Sequence, residues 1–187
     1  LKKKKEQMMK LNKKLKLWEL DRPSEEEFRK QEKFPVVVVL DNIRSLNNVG
    51  SFFRTSDAFN VERIVLCGIT ACPPHREINK TAIGATDSVE WSYSESTVEV
   101  CESLKKEGYH LCTIEQAEET TLLQNTDQLK AAKFALVFGN EVDGVDQKIV
   151  DISDSVLEIP QFGTKHSLNV SVCAGVVLWE ISKRFFK

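Results

Sequence analysis

Short apolar runs alternating with polar, glycine-bearing loops set the plan of this chain. Val36–Leu40, Glu62–Cys67, Val89–Tyr93, Tyr109–Ile114, Phe134–Phe138 and Val156–Ile159 are brief, partly β-branched and end abruptly. That is how buried parallel strands read, and each is predicted as one. Helical spacing falls between them. Asn48 suits an N-cap for a helix running to about Phe59, with Val49, Phe52, Phe53 and Phe59 on its core side. Asn60 suits the left-handed position that closes it. Thr97–Glu107 forms a second helix stopped by Gly108, and Arg76–Ile83 a helical turn. Ser24 to Glu27 reads as a capping box opening a short helix that Phe34-Pro35 ends. From Ser167 to Phe186 the pattern predicts one long amphipathic helix, with Leu168, Val172, Val176 and Trp179 as its apolar stripe. Strands alternating with helices imply an α/β fold: a mostly parallel six-stranded sheet with helices on both faces.

Length and charge sharpen this picture. At 187 residues the chain can bury a real core. Its longest purely apolar run, Val36–Leu40, is far short of a membrane span. The lysine-rich start has no apolar core behind it, so no signal peptide is visible. A cytoplasmic protein with no membrane contact is expected. The first residue is Leu, so the true start of the protein can lie upstream. The five cysteines, at 67, 72, 101, 112 and 173, are odd in number and mostly beside apolar runs, as reduced cytosolic cysteines are. Cys72-Pro-Pro-His75 has no second ligand pair at zinc spacing, so no metal is expected.

Residues 1–17 carry eight lysines and one glutamate, a net +7, which leaves −9 on the rest of a chain whose total is −2. A basic arm on an acidic body fits a polyanionic partner, nucleic acid above all; a solvated tail that aids solubility fits equally well. Met8, Leu11, Leu15 and Trp18 share one helical face, so the arm is expected to be a docked helix. The chain is accordingly divided into a basic helical extension over 1–33 and a domain over 34–187.

Several common chemistries lack their residues. No Gly-x-Gly-x-x-Gly follows the first strand, and neither the lysine-bearing phosphate loop nor a Gly-x-Ser-x-Gly elbow occurs. A Ser–His–acid hydrolase would have to use His166, since His110 lies in a strand pattern.

Three other segments stand out, each preceded by a strand. They are Asn48-Val-Gly-Ser-Phe-Phe-Arg54-Thr-Ser-Asp-Ala58, Phe138-Gly-Asn-Glu141-Val-Asp-Gly144, and Ile159-Pro160 followed by Ser167-Leu-Asn169-Val-Ser-Val172. In this order, with Lys80–Ala85 between the first two, they resemble the motifs of the SpoU (TrmH-like) RNA ribose methyltransferases of the SPOUT superfamily. The resemblance runs from about Val36 to Phe186. It implies a deep C-terminal trefoil knot, a homodimer, S-adenosylmethionine as cofactor, and transfer of its methyl group to a ribose 2′-hydroxyl of tRNA or rRNA. No separate N-terminal RNA-binding domain is seen, which leans the expectation towards tRNA. A knotted enzyme acting on a base nitrogen and a non-catalytic RNA-binding module are the alternatives.

The same resemblance suggests site residues. Arg54, Asn48, Glu141, Ser167 and Asn169 match catalytic positions. Gly139, Asn140, Glu141, Ile159 and Leu168 match cofactor contacts, with Thr113 at the end of its strand a weaker candidate. Bottom-up, each also has a plainer reading. Arg54 is an arginine on the polar face of a helix, and since a guanidinium holds its proton tightly, phosphate pairing and alkoxide stabilisation suit it better than proton abstraction. Asn48 and Ser167 serve equally as helix caps, and Glu141 as a solvated loop acid. Asn48 and Arg54 are six residues apart, which is not one helical face.

Overall fold

The Val36–Leu40 run lies in strand β1 (Phe34–Asp41), with every one of its side chains fully buried. Alternate residues serve two cores. Val36, Val38 and Leu40 pack on one side, Val37 and Val39 on the other, as the two-residue period of a strand requires. The computed structural model describes residues 12–186.

A short helix α1 (Glu25–Lys30) precedes β1 and is opened by the expected capping box, Ser24 with Glu27. It ends before Phe34-Pro35, which already belong to the strand. After β1 come α2 (Leu46–Ala58), β2 (Val61–Cys67), α3 (Arg76–Ala82), α4 (Ala85–Ser88), β3 (Glu90–Ser94) and α5 (Thr97–Lys106). The chain continues through β4 (His110–Ile114), β5 (Thr121–Leu122), β6 (Phe134–Phe138), α6 (Gln147–Ile152), β7 (Ser155–Glu158) and α7 (Val170–Ser182). The sheet order is β3-β2-β1-β6-β4-β7-β5, and all neighbouring pairs are parallel. Side chains of α2, α3 and α7 (Phe52, Ile78, Leu178) cover one face; those of α5 and α6 (Leu104, Ile149) cover the other.

The sheet therefore has seven strands, not six. The added one, β5, is two residues long and pairs only with β7, through Thr121 with Leu157 and Leu122 with Glu158. A two-residue strand carries no period for a sequence to show. Two helix starts also differ from expectation. α2 is capped by Ser45, whose side chain accepts from the Asn48 amide, so Asn48 lies inside the first turn. α7 is capped by Asn169, and Ser167 and Leu168 stay in the preceding loop. Its core side is Ala174, Val177, Leu178 and Ile181, whereas the stripe of Val172, Val176 and Trp179 is 54, 41 and 53% exposed. The helix is apolar on both sides, which is why the outward stripe passes for the inward one.

In the N-terminal segment, residues 12–16 have no regular structure, Leu17–Glu19 form a 3-10 turn, and Leu15 and Trp18 are exposed. Met8 and Leu11, the other half of the expected helical face, lie outside the described residues. All five cysteines are unpaired. His75 caps α3 through Nδ1, which accepts from the Glu77 amide, and no cluster of three or more metal-ligating side chains occurs among the described residues. No helix among them is long and apolar enough to cross a membrane.

Candidate functional site

At the carboxyl ends of β4, β6 and β7 the loops enclose a cleft of about 1070 Å³, the edge of an open parallel sheet where ligands bind. Its tightest wall is the loop after β6. A Cβ on Gly139 would lie 2.1 Å from the carbonyl carbon of Gly144 and 2.2 Å from the Val145 nitrogen. Gly144 itself has φ +72°, and its added Cβ would strike the Glu115 carboxylate. Between them Asn140 and Gly144 exchange two backbone hydrogen bonds of 3.1 Å. The Asn140 Oδ1 accepts from the amides of Val142 and Asp143, both at 2.8 Å. Asn140 lines the cleft, but its side-chain oxygen is engaged in shaping the loop.

This loop carries Glu141 across to the start of α2. Its carboxylate accepts from the amides of Arg44 (3.1 Å) and Ser45 (3.2 Å) and from Asn48 Nδ2 (2.8 Å). Partial burial pushes the Glu141 acid up, yet the donors from Asn48, its own backbone, Arg44 and Ser45 win and hold it below the ordinary carboxylate range. Asn48 Oδ1 accepts from Asn169 Nδ2 at 3.2 Å. Asn169 in turn caps α7, its Oδ1 accepting from the amides of Ser171 (2.9 Å) and Val172 (3.4 Å). One hydrogen-bonded line thus joins the loop after β6, the first turn of α2 and the N-terminus of α7, three segments far apart in sequence.

Residues 35–179 match the SpoU rRNA Methylase family. The chain belongs to this family. Among its relatives is the 23S rRNA (guanosine-2′-O-)-methyltransferase RlmB of Neisseria meningitidis, 30% identical over 150 residues, or 80% of this chain and 59% of that protein. The tRNA (guanosine(18)-2′-O)-methyltransferase of Aquifex aeolicus is 30% identical over 155 residues, covering 80% and 69%. The crystal structure of an AdoMet-bound rRNA methyltransferase from Sinorhizobium meliloti superposes with a TM-score of 0.76 at 23% identity, covering 86% of this chain and 61% of that one. The A. aeolicus TrmH/SpoU tRNA modifying enzyme gives 0.75 at 25% identity, covering 86% and 80%. The chain therefore spans about three fifths of the length of the Neisseria relative.

Of the SpoU positions expected from sequence, Gly139, Asn140, Glu141, Ile159, Ser167, Leu168 and Asn169 all line the cleft, and Asn48 reaches its edge through Glu141 and Asn169. Two positions stand apart. Thr113 is wholly buried within β4, with its hydroxyl bonded to that of Ser153 under α6, and it does not line the cleft. Arg54 lies on the exposed side of α2, makes no hydrogen bond or ion pair among the described residues, and is absent from the lining of its own cleft.

Ile114 to Glu119 form the one cleft wall that sequence reasoning missed altogether, and Val145, Gln147, Val150 and Cys173 are further lining residues not expected from it. Glu115 accepts from the amides of Val145 (3.2 Å) and Gln116 (2.8 Å) and so braces the glycine loop from the opposite wall. The strand-end rule that pointed to the loops after β6 and β7 applies equally after β4, two residues beyond Thr113. The charge of the site was also hidden. Glu115, Glu118, Glu119, Glu141, Asp143 and Glu158 line the cleft, and no Lys, Arg or His does so among the described residues.

Proposed function

We propose that this chain is a methyltransferase that moves a methyl group from S-adenosylmethionine to a ribose 2′-hydroxyl of tRNA or rRNA. The observation that carries the reading is the line Glu141–Asn48–Asn169, which ties the three SpoU motifs together at the edge of one acidic cleft. The 2′-O-methyltransferase names of the Neisseria and Aquifex relatives support the reaction, and the AdoMet-bound Sinorhizobium structure supports the donor.

The residues present fit that donor. A carboxylate-lined cleft suits a cationic sulfonium, Ile114, Ile159 and Leu168 offer apolar surface for a purine, and the close packing of Gly139 on Gly144 fixes the loop that walls the space. Gly139, Ile159 and Leu168 would hold it. When bound, the donor supplies an electrophilic methyl group on sulfur. The chain's own part is alignment, because an in-line displacement gains roughly 7–11 kcal/mol from having its reactants held in attack geometry. Both Glu141 oxygens already accept N–H groups, so Glu141 locks the first two motifs together and is not a free base. Asn48 and Asn169 extend that lock to α7.

Arg54 stands outside its own cleft, so a site that uses it is completed by a second copy. The exposed stripe of Val172, Val176 and Trp179, with Phe186 beside Trp179 at 5.7 Å between rings, supports a homodimer packed through α7. In it Arg54 would pair with the substrate phosphate and steady the developing alkoxide. A C-terminal knot is supported by the sheet order. β7 enters between β4 and β5, two strands that precede it and are joined by residues 115–120. Residues 1–33 are read as an extension of the 34–187 domain, and its helix α1 meets the domain where Arg29 Nε donates to the Asp87 carbonyl at 2.7 Å.

Incubation with radiolabelled donor and bulk tRNA or rRNA, followed by nucleoside analysis, is expected to give a 2′-O-methylated product. Label on a base, or none, overturns the reading. Mixing inactive Arg54→Ala and Gly139→Ala chains is expected to restore transfer, because one hybrid site has an intact cleft and the other chain's arginine. Failure to complement removes the shared site.

A further inference from the structure

An acidic cleft poses a problem for a polyanionic substrate, and the loop between β7 and α7 answers it. Phe162 is 98% exposed, the most exposed large apolar side chain among the described residues. Its neighbours Gln161, Gly163, Thr164, Lys165 and His166 are all exposed too. Among the described residues no hydrogen bond or ion pair engages the side chains of Thr164, Lys165 or His166. The loop is nonetheless anchored, since Gln116 Nε2 donates to the His166 carbonyl at 2.9 Å. Beside it lies a second hollow of about 480 Å³, lined by Phe162 and Lys165. Ile159, Gln161, Ser167, Leu168 and Asn169 line both hollows, so the two are adjacent.

We propose that Phe162 is a stacking platform for an unpaired nucleobase of the RNA substrate, with Lys165 meeting the adjoining phosphate. The proposal rests on the RNA-methyltransferase reading and adds the element that grips the substrate beside the cleft. An aromatic face gives a base sequence-tolerant stacking, and Lys165, three residues on, supplies the charge that the cleft lacks. A second protein copy fits this loop poorly. Association buries contiguous apolar area, and the only other large apolar side chains lining the hollow beside Phe162 are Ile159 and Leu168, which also line the cleft. The contiguous apolar surface is on α7 instead.

The test measures affinity for bulk tRNA and, separately, bulk rRNA, without methyl donor. Phe162→Ala is expected to bind its preferred RNA about 5- to 150-fold more weakly, the range that loss of one stacked base gives. Phe162→Trp should restore binding, and Phe162→Leu, apolar but without a π face, should not. Lys165→Ala should lower the slope of log affinity against log salt by about one phosphate contact. Because Phe162 touches almost nothing, these variants should unfold at the wild-type midpoint. Wild-type affinity in both Ala and Leu variants overturns the proposal, as does wild-type protein that binds neither RNA. A fall in sedimentation mass of Phe162→Ala would assign the residue to a protein interface and overturn it equally. Transfer chemistry is absent from this assay, so an enzyme that fails to methylate sinks the functional reading and leaves the stacking result standing.

Discussion

Glu141 sits on a solvent-facing loop, yet three N–H groups from another part of the chain converge on its carboxylate. Its folded acid is depressed, so its contribution is fully present above the unfolded value and is lost as pH falls through the folded one. Glu141→Gln is therefore expected to cost about 1 kcal/mol at neutral pH, a modest figure because the site is largely open to water. The gap should close in acid, as paired denaturant titrations would show. Gly139 tests shape and not charge. Its Cβ would collide with backbone at Gly144 and Val145, so Gly139→Ala should cost about 1–3 kcal/mol and abolish donor binding by calorimetry. Legibility at this scale was uneven. Glycines and acids in a strand-end loop announce a site, whereas Glu115 needed the opposite wall to be seen at all.

At the scale of elements, α7 carries two apolar faces with different fates. Leu178 is fully buried against the sheet, and Leu178→Ala should destabilise the fold by about 2–5 kcal/mol in chemical denaturation. Val176 is on the outward stripe, so Val176→Lys should leave monomer stability within about 0.5 kcal/mol while shifting sedimentation towards the monomer. An unchanged mass would overturn the proposal that a homodimer packs through this stripe. Six of the seven strands were legible to within two residues, because parallel strands buried on both faces are unbroken apolar runs with sharp ends; β3, expected to be buried, is instead a largely exposed edge strand. Helix starts were not. Ser45 and Asn48, and likewise Asn169 and Ser167, are all chemically able to cap, and only the geometry of the amide that each accepts from chose between them.

For the whole molecule the proposed function raises the question of how an acidic body with a carboxylate-lined cleft would serve a polyanion. On that reading positive charge has to come from outside the cleft, and Arg54 is the proposed source. Since it is exposed and makes no contact among the described residues, Arg54→Ala should leave the unfolding midpoint within about 0.5 kcal/mol of wild type and abolish methyl transfer. Transfer at the wild-type rate would remove Arg54 from the mechanism.

By itself the sequence determined the α/β class, the buried valine strand and the three segments that the Glu141–Asn48–Asn169 line joins, because burial and turn chemistry are written in local pattern. It could not determine which of those segments touch. Asn48, Glu141 and Asn169 meet only because the strand order places β6 beside β1 and inserts β7 between β4 and β5. Pairing of that kind is a long-range choice set by the packing of the sheet as a whole, and local periodicity carries no record of it.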